Sequence, residues 1–442
     1  MPLLDTDLQL TRDSYYAATA GAAPSHPRLE GGTDCDVAVV GGGLAGLSAA
    51  IDLRRSGLDV VLLEAREIGF GASGRNGGQA IHGLACEQGV IEAQLGLDEA
   101  RRVWRMSIEA LDLLRQRIDE HGIACDWRHG YLGLATSPRK ARALVAWADR
   151  LESVYGYALQ RIAVAELGDW IASPRYHGGI HDPRSGHLHP LKYTRGLARA
   201  AAAAGVRLHE QTAVQALVQP QQPGGRAVLR TAGGDVRARQ VLLAGNVYLH
   251  GVAPAIEPRI MPVGTYVACT ETLDIALADS LIPSRSAVCD TNVVLDYFRT
   301  TADHRMLYGG RVSYSTMTPA NLAESLRQRM VRTFPQLSRT QVDYAWGGFV
   351  DITMNRAPDF GRLAAVQRGA PQNVYYLQGF SGHGLALSGL AGRLVAEAMA
   401  GDASRFDVFA RLRHRAFPGG TLLRTPALVV GMAWYRLRDM LG

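Results

Sequence analysis

The chain has 442 residues, more than the about 250–300 over which a single hydrophobic core grows, so two closely joined domains are expected. With 47% apolar and 20% charged residues it has the makeup of a globular enzyme, which excludes a disordered chain. The net charge of +6 comes almost wholly from scattered arginine, since Lys140 and Lys192 are the only lysines, and no basic run with interleaved aromatics marks a nucleic-acid surface.

Residues 1–34 read as an irregular N-terminal extension. Asp5, Asp7 and Asp13 stand where a secretory leader carries a basic stretch and an apolar run. Next come Asp36 to Gly41, a short apolar strand, a helix from Leu44 to Ser56 closed by Gly57, and a second buried strand from Leu58 to Glu64. This β-α-β unit opens a doubly wound parallel sheet. Helices are expected from Asp98 to His121, Pro138 to Tyr155 and Pro190 to Ala204. Strands are expected at Val206–His209, Ala213–Val218, Val228–Thr231 and Val241–Gly245. From about 258 to 350 strand alternation dominates, as in Arg259–Thr270 and Leu295–Thr300, with one helix from Pro319 to Phe334, which suggests an antiparallel sheet. Val374–Gln378 returns to buried-strand character and feeds a helix from about His383 to Ala400. The fold class is therefore α/β (α+β), with a Rossmann-type nucleotide-binding domain and a substrate domain on an antiparallel sheet. The first is assigned 35–90, 140–255 and 350–442, and the second 91–139 and 256–349.

Gly41-Gly-Gly43-Leu44-Ala45-Gly46 sits between strand and helix. Gly41 permits the tight turn, Gly43 admits a diphosphate to the backbone, and Gly46 lets helix and strand pack closely. Glu64 ends the second strand, followed by Ala65, and offers a carboxylate to ribose hydroxyls. The next loop carries Ser73, Arg75, Asn76, Gly77, Gly78 and Gln79, groups suited to a diphosphate and a flat ring system. Gly379-Phe-Ser-Gly382-His383-Gly384 opens a second helix, whose N-terminus stabilises the negative charge that a reduced flavin carries.

These three elements resemble the FAD-dependent D-amino-acid oxidase superfamily. The flanking segments Ser14–Ala18, Gly186–Leu191, Leu295–Asp303, Phe417–Gly420 and Trp434–Asp439 are most similar to its gamma-glutamylputrescine oxidase branch. The resemblance implies oxidation of an amine C–N bond to an imine, hydrolysis to an aldehyde, and O2 or a respiratory carrier as electron acceptor. It also implies adenine against the backbone at Val214 and a further cofactor contact at Gly245. FAD is expected to be non-covalent, since Met354–Phe360 holds no Cys and Ser73–Gln79 no His. Amino-acid-oxidising relatives place an arginine for the substrate carboxylate where this chain has Phe349, Val350 and Asp351. Candidate catalytic-shell residues are His383, Tyr266, Tyr297, Trp346 and Asp351, with core packing the competing reading for each aromatic and Asp351 a candidate anchor for a cationic amine. An oxidase of a secondary amino acid such as L-pipecolate is the alternative, kept open by Arg299 and Arg356. The basic, apolar tail from Leu422 to Leu441 leaves a membrane-docked flavoprotein subunit as a third reading.

His177, His181, Asp182, His187 and His189 cluster in sequence, but the resemblance places Gly186–Leu191 in a structural turn, so no metal is expected. The five cysteines lack a C-x-x-C pair and read as free thiols of a cytoplasmic protein.

Overall fold

Val37 to Val40 are all buried, because the strand Thr33–Val40 lies at the centre of a sheet with both faces covered. The computed structural model describes residues 14–420 apart from 223, 250, 293, 314–320, 368–369 and 371. The segments 422–441 and 434–439 singled out above lie outside the described residues.

The first sheet runs in the order Asp359–Arg362, Val374–Gln378, Gly234–Leu243, Thr33–Val40, Val60–Leu63 and Arg207–His209. Its middle pairings are parallel, while Asp359–Arg362 runs antiparallel at one edge. Strands Val214–Val218 and Ala227–Thr231 form an antiparallel branch on Gly234–Leu243. Helices Leu44–Arg55, Leu97–Glu120, Pro190–Ala203 and Gly384–Met399 share the main core on one face.

The second sheet runs Val342–Thr353, Ile260–Thr270, Met306–Ser313, Tyr297–Thr300, Ala287–Asp290, Arg128–Leu134, Gly179–His187 and Gln79–Ala80, with Gln160–Ile162 beside Gly179–His187. It is antiparallel except where Ala287–Asp290 pairs parallel with Arg128–Leu134. Three of its strands, Gln79–Ala80, Gln160–Ile162 and Gly179–His187, come from the segments 35–90 and 140–255 that the sequence division gives to the nucleotide domain. Val342–Thr353 runs unbroken through the division at 349/350. Among the described residues no helix is long and apolar enough to cross a membrane.

Candidate active site

A cavity of about 910 Å³ is lined by residues of both sheets. At one end the first turn fits as its glycines require. Gly41 has φ 113°, and a β-carbon there would lie 2.6 Å from the Ala244 carbonyl oxygen. Leu44 and Ala45 bring the N-terminus of helix Leu44–Arg55 to the wall, beside Gly43, Ala65, Val214 and Gly245. Gly46 packs under the Gly41 carbonyl without lining the cavity. The Glu64 carboxylate accepts the Gly42 N–H at 2.7 Å and the Arg66 N–H at 2.9 Å, and burial raises its pKa.

In the 68–79 loop the polar side chains shape the loop itself. Ser73 Oγ accepts the Leu44 N–H at 3.0 Å and so caps the helix. Asn76 donates to the Ala72 and Ser73 carbonyls and accepts the Gly78 N–H. Gln79 donates to the carbonyls of Val288 and Phe298 and accepts Cys289 Sγ–H at 2.9 Å. Arg75 lines the cavity with its guanidinium 4.3 Å from the Phe70 ring centroid. Gly78 is turned away, against the Leu188 carbonyl.

Sequence reasoning leaves Arg299 open as a carboxylate ligand; the structure gives it another use. It is buried, and it donates to the Gly77 carbonyl at 2.9 Å, the Leu188 carbonyl at 3.0 Å and the Tyr16 hydroxyl at 3.1 Å. Tyr16, from the short helix Tyr15–Thr19, thereby braces the glycine-rich loop, a role that nothing in its local sequence signals.

The cavity floor comes from two paired strands. Met261 faces Ile352, Val263 faces Val350, and Thr265 faces Gly348, all lining the cavity. Strand alternation places Tyr266 on the opposite face, where it packs with Leu326. Trp346 is fully buried beyond the cavity, packs edge-on against Tyr16, and donates Nε1–H to the Arg75 carbonyl. Neither lines the cavity. Tyr297 does, with its ring between Gly77 and Gly309. Asp351 borders the cavity, but its carboxylate accepts the Gly379 N–H at 2.5 Å and its carbonyl accepts the Ser381 N–H. These bonds hold the 379–384 turn, and burial pushes the Asp351 pKa up to about 7.

That turn brings Gly382, His383 and Gly384 to the wall at the start of helix Gly384–Met399, with Gly379 behind it against Thr353. His383 Nε2–H donates to the carbonyls of Ile81 at 3.1 Å and His82 at 3.0 Å. Burial lowers its pKa to about 4 and keeps the ring neutral.

The clustered histidines have separate partners. His187 Nε2–H donates to the Arg285 carbonyl, and His189 Nδ1 accepts the Lys192 N–H. Asp182 binds His82. No group of three or more potential ligands is gathered for a metal among the described residues.

Residues 36–398 match the family described as FAD dependent oxidoreductase, DAO. The chain is 44% identical over 430 residues to gamma-glutamylputrescine oxidoreductase of Escherichia coli K12, covering 97% of this chain and 98% of that protein. It is 38% identical to the probable oxidoreductase OrdL of Haemophilus influenzae, covering 96% of this chain and 97% of that one. The crystal structure of glycine oxidase from Geobacillus kaustophilus superposes with a TM-score of 0.71 at 22% identity, covering 87% of this chain and all of that one. With its strand–turn–helix fingerprint and a cavity lined by both sheets, the chain belongs to the DAO family of FAD-dependent oxidoreductases, which act on C–N bonds of amines or amino acids.

Proposed function

We propose that the chain oxidises an amine whose reacting end lacks an α-carboxylate, with gamma-glutamylputrescine the first candidate. The observation that carries this reading is the uncharged floor of the cavity. The pairs Met261–Ile352, Val263–Val350 and Thr265–Gly348 contribute no charged side chain, Arg299 is already held by protein oxygens, and Arg75, which reaches the Gly348 end of the floor from the 68–79 loop, sits over the Phe70 ring. A carboxylate buried unpaired on the Met261–Ile352 and Val263–Val350 part of the floor, away from Arg75, costs several kcal/mol, about enough to reject it. The 44% identity to a relative named for gamma-glutamylputrescine supports the same substrate.

The cavity fits FAD. In this reading Glu64 takes the ribose, the Gly41–Ala45 turn and helix N-terminus take the diphosphate, and Val214 and Gly245 border the adenine end. The Ser73–Gln79 loop and His383 would hold the flavin. Bound FAD supplies the two-electron oxidation of the amine's α C–H, and the resulting imine hydrolyses to an aldehyde. The apolar floor excludes water from the reacting carbon, Tyr297 walls one side, and neutral His383 presents a hydrogen-bonding ring without adding charge. No covalent tether is expected, so acid precipitation should leave FAD in the supernatant; flavin in the pellet contradicts this. Either O2 or a respiratory carrier takes the electrons.

The test is kcat/KM for gamma-glutamylputrescine and simple diamines against L-pipecolate, proline, sarcosine and glycine. A preference of about tenfold or more for the amines, roughly 1.4 kcal/mol, is expected. The same preference for an α-amino acid would overturn the reading in favour of a secondary amino-acid oxidase, with Arg356 at the cavity wall as its carboxylate partner.

A further inference from the structure

We propose that His82 and Asp182 are positioning residues acting through His383: they fix the two main-chain carbonyls that hold its ring in the Nε2–H form with Nδ1 left to the cavity. The proposal rests on the reading above that His383 contacts the bound flavin or substrate.

The carbonyls of Ile81 and His82 both accept from His383 Nε2, so that nitrogen carries the ring proton. Nδ1 makes no hydrogen bond among the described residues, and His383 lines the cavity. A neutral ring with Nε2 protonated offers an acceptor lone pair at Nδ1. The direction of that lone pair is set by where segment 81–82 sits, just past the two-residue strand Gln79–Ala80.

So short a strand cannot hold this segment alone; the His82 side chain does. Its Nδ1 lies 2.7 Å from Asp182 Oδ2, and the His82 main-chain N–H donates to Ser185 Oγ at 3.0 Å. Asp182 also accepts from the Tyr157 hydroxyl, the Ser185 hydroxyl and the main-chain N–H groups of Arg184 and Ser185. These donors and the His82 pair outweigh burial and hold Asp182 as a carboxylate. Trp147 stacks on the His82 ring at 5.8 Å, and Trp104, Tyr131 and Tyr157 close around it. The Ser185 hydroxyl donates to Asp182, so the trio is not a nucleophile relay, which requires the serine to donate to the histidine. What remains is a rigid mount for the segment that faces His383.

The test compares Asp182→Asn in the wild-type and His383→Asn backgrounds. It reads the limiting rate of anaerobic flavin reduction, substrate affinity, and the His383 ring signals in 15N-histidine NMR of the FAD-loaded protein. The expected result is a neutral Nε2–H ring in the parent, disturbed in Asp182→Asn. The reduction rate should fall by about tenfold or more with little change in affinity, and should not fall further in the His383→Asn background. Equal losses in both backgrounds, or an unaltered ring, would overturn the positioning role. A disturbed ring with an unaltered rate would instead overturn the placement of His383 at the reaction. If Asp182→Asn fails to fold, Tyr157→Phe removes one donor from Asp182; it should show a smaller loss, again absent when His383 is replaced, and an equal loss in both backgrounds overturns the role.

Discussion

Arg299 illustrates why a residue's type does not reveal its use. In sequence it is one arginine among many, within the Leu295–Asp303 segment that resembles family members. In the structure its donors join the Gly77 and Leu188 carbonyls and the Tyr16 hydroxyl, so it ties the glycine-rich loop, the turn before helix Pro190–Ala203 and the N-terminal helix together. Arg299→Ala leaves buried acceptors without donors and is expected to lower stability by about 2–4 kcal/mol, because each unpaired buried group costs roughly 1–3 kcal/mol. FAD should be retained less well, since the Gly77 backbone lines the cavity. Thermal unfolding and flavin retention on gel filtration measure both. A variant that keeps its melting temperature and flavin but loses affinity for an α-amino acid would return Arg299 to the role of carboxylate ligand. Asp351 makes the same point. The sequence offers a carboxylate near the pocket, but alternation along Val342–Thr353 and the Gly379 N–H turn it into a brace for the adjoining loop.

Helices Leu44–Arg55 and Gly384–Met399 meet over small residues, and both point their N-termini at the cavity. A β-carbon at Gly392 would lie 2.6 Å from the Ala49 nitrogen and 2.7 Å from the Ala45 carbonyl oxygen, so the helices touch backbone to backbone. Gly392→Val must push them apart. The expected cost is about 1–3 kcal/mol from overpacking, with weaker FAD binding because the two helix ends shift together. Urea unfolding and flavin titration check this; a variant as stable as the parent would show that the contact yields. Both helices were legible from apolar spacing and end signals. The strand Gly179–His187 was not. Pro183, Ser185 and Gly186 are poor strand formers, and the sequence assigns no element there. The ladder with Arg128–Leu134 shifts register between His129 and Tyr131, and Pro183 falls in the interval where no pair is formed. Pairing with distant strands, and not local preference, makes it a strand.

Over the whole molecule, stability should fall in acid. His187 and His189 have pKa values lowered to about 3, and His383 to about 4, in each case first through burial. Each stays neutral in the fold and gains a proton on unfolding, so its contribution is lost as pH falls below the ordinary histidine value of about 6.5. Asp351 has the opposite sign. Its pKa is raised to about 7, so its contribution is lost as pH rises from its ordinary value toward 7. Asp290, raised by burial to about 6, acts in the same direction as Asp351; the three histidines outnumber these two carboxyls between about pH 4 and 6.5, and the urea midpoint should drop as pH is lowered through that window. His189→Asn keeps an acceptor for the Lys192 N–H while removing the titration, and should flatten the profile; a profile unchanged by it would assign the acid sensitivity elsewhere. By itself the sequence determined the nucleotide-binding unit, the family and the chemistry. Those depend on contiguous patterns in which the Gly41–Gly46 turn, Glu64 and the 379–384 turn carry their own backbone requirements. Only the tertiary structure decided which side chains reach the cavity. Tyr266 and Trp346 lie close in the chain to residues of its floor, yet strand parity and the packing of Tyr16 take them out of it. The brace of Arg299 and the mount of His82 on Asp182 join residues about a hundred positions or more apart, where no local pattern can register a contact that only the folded sheets create.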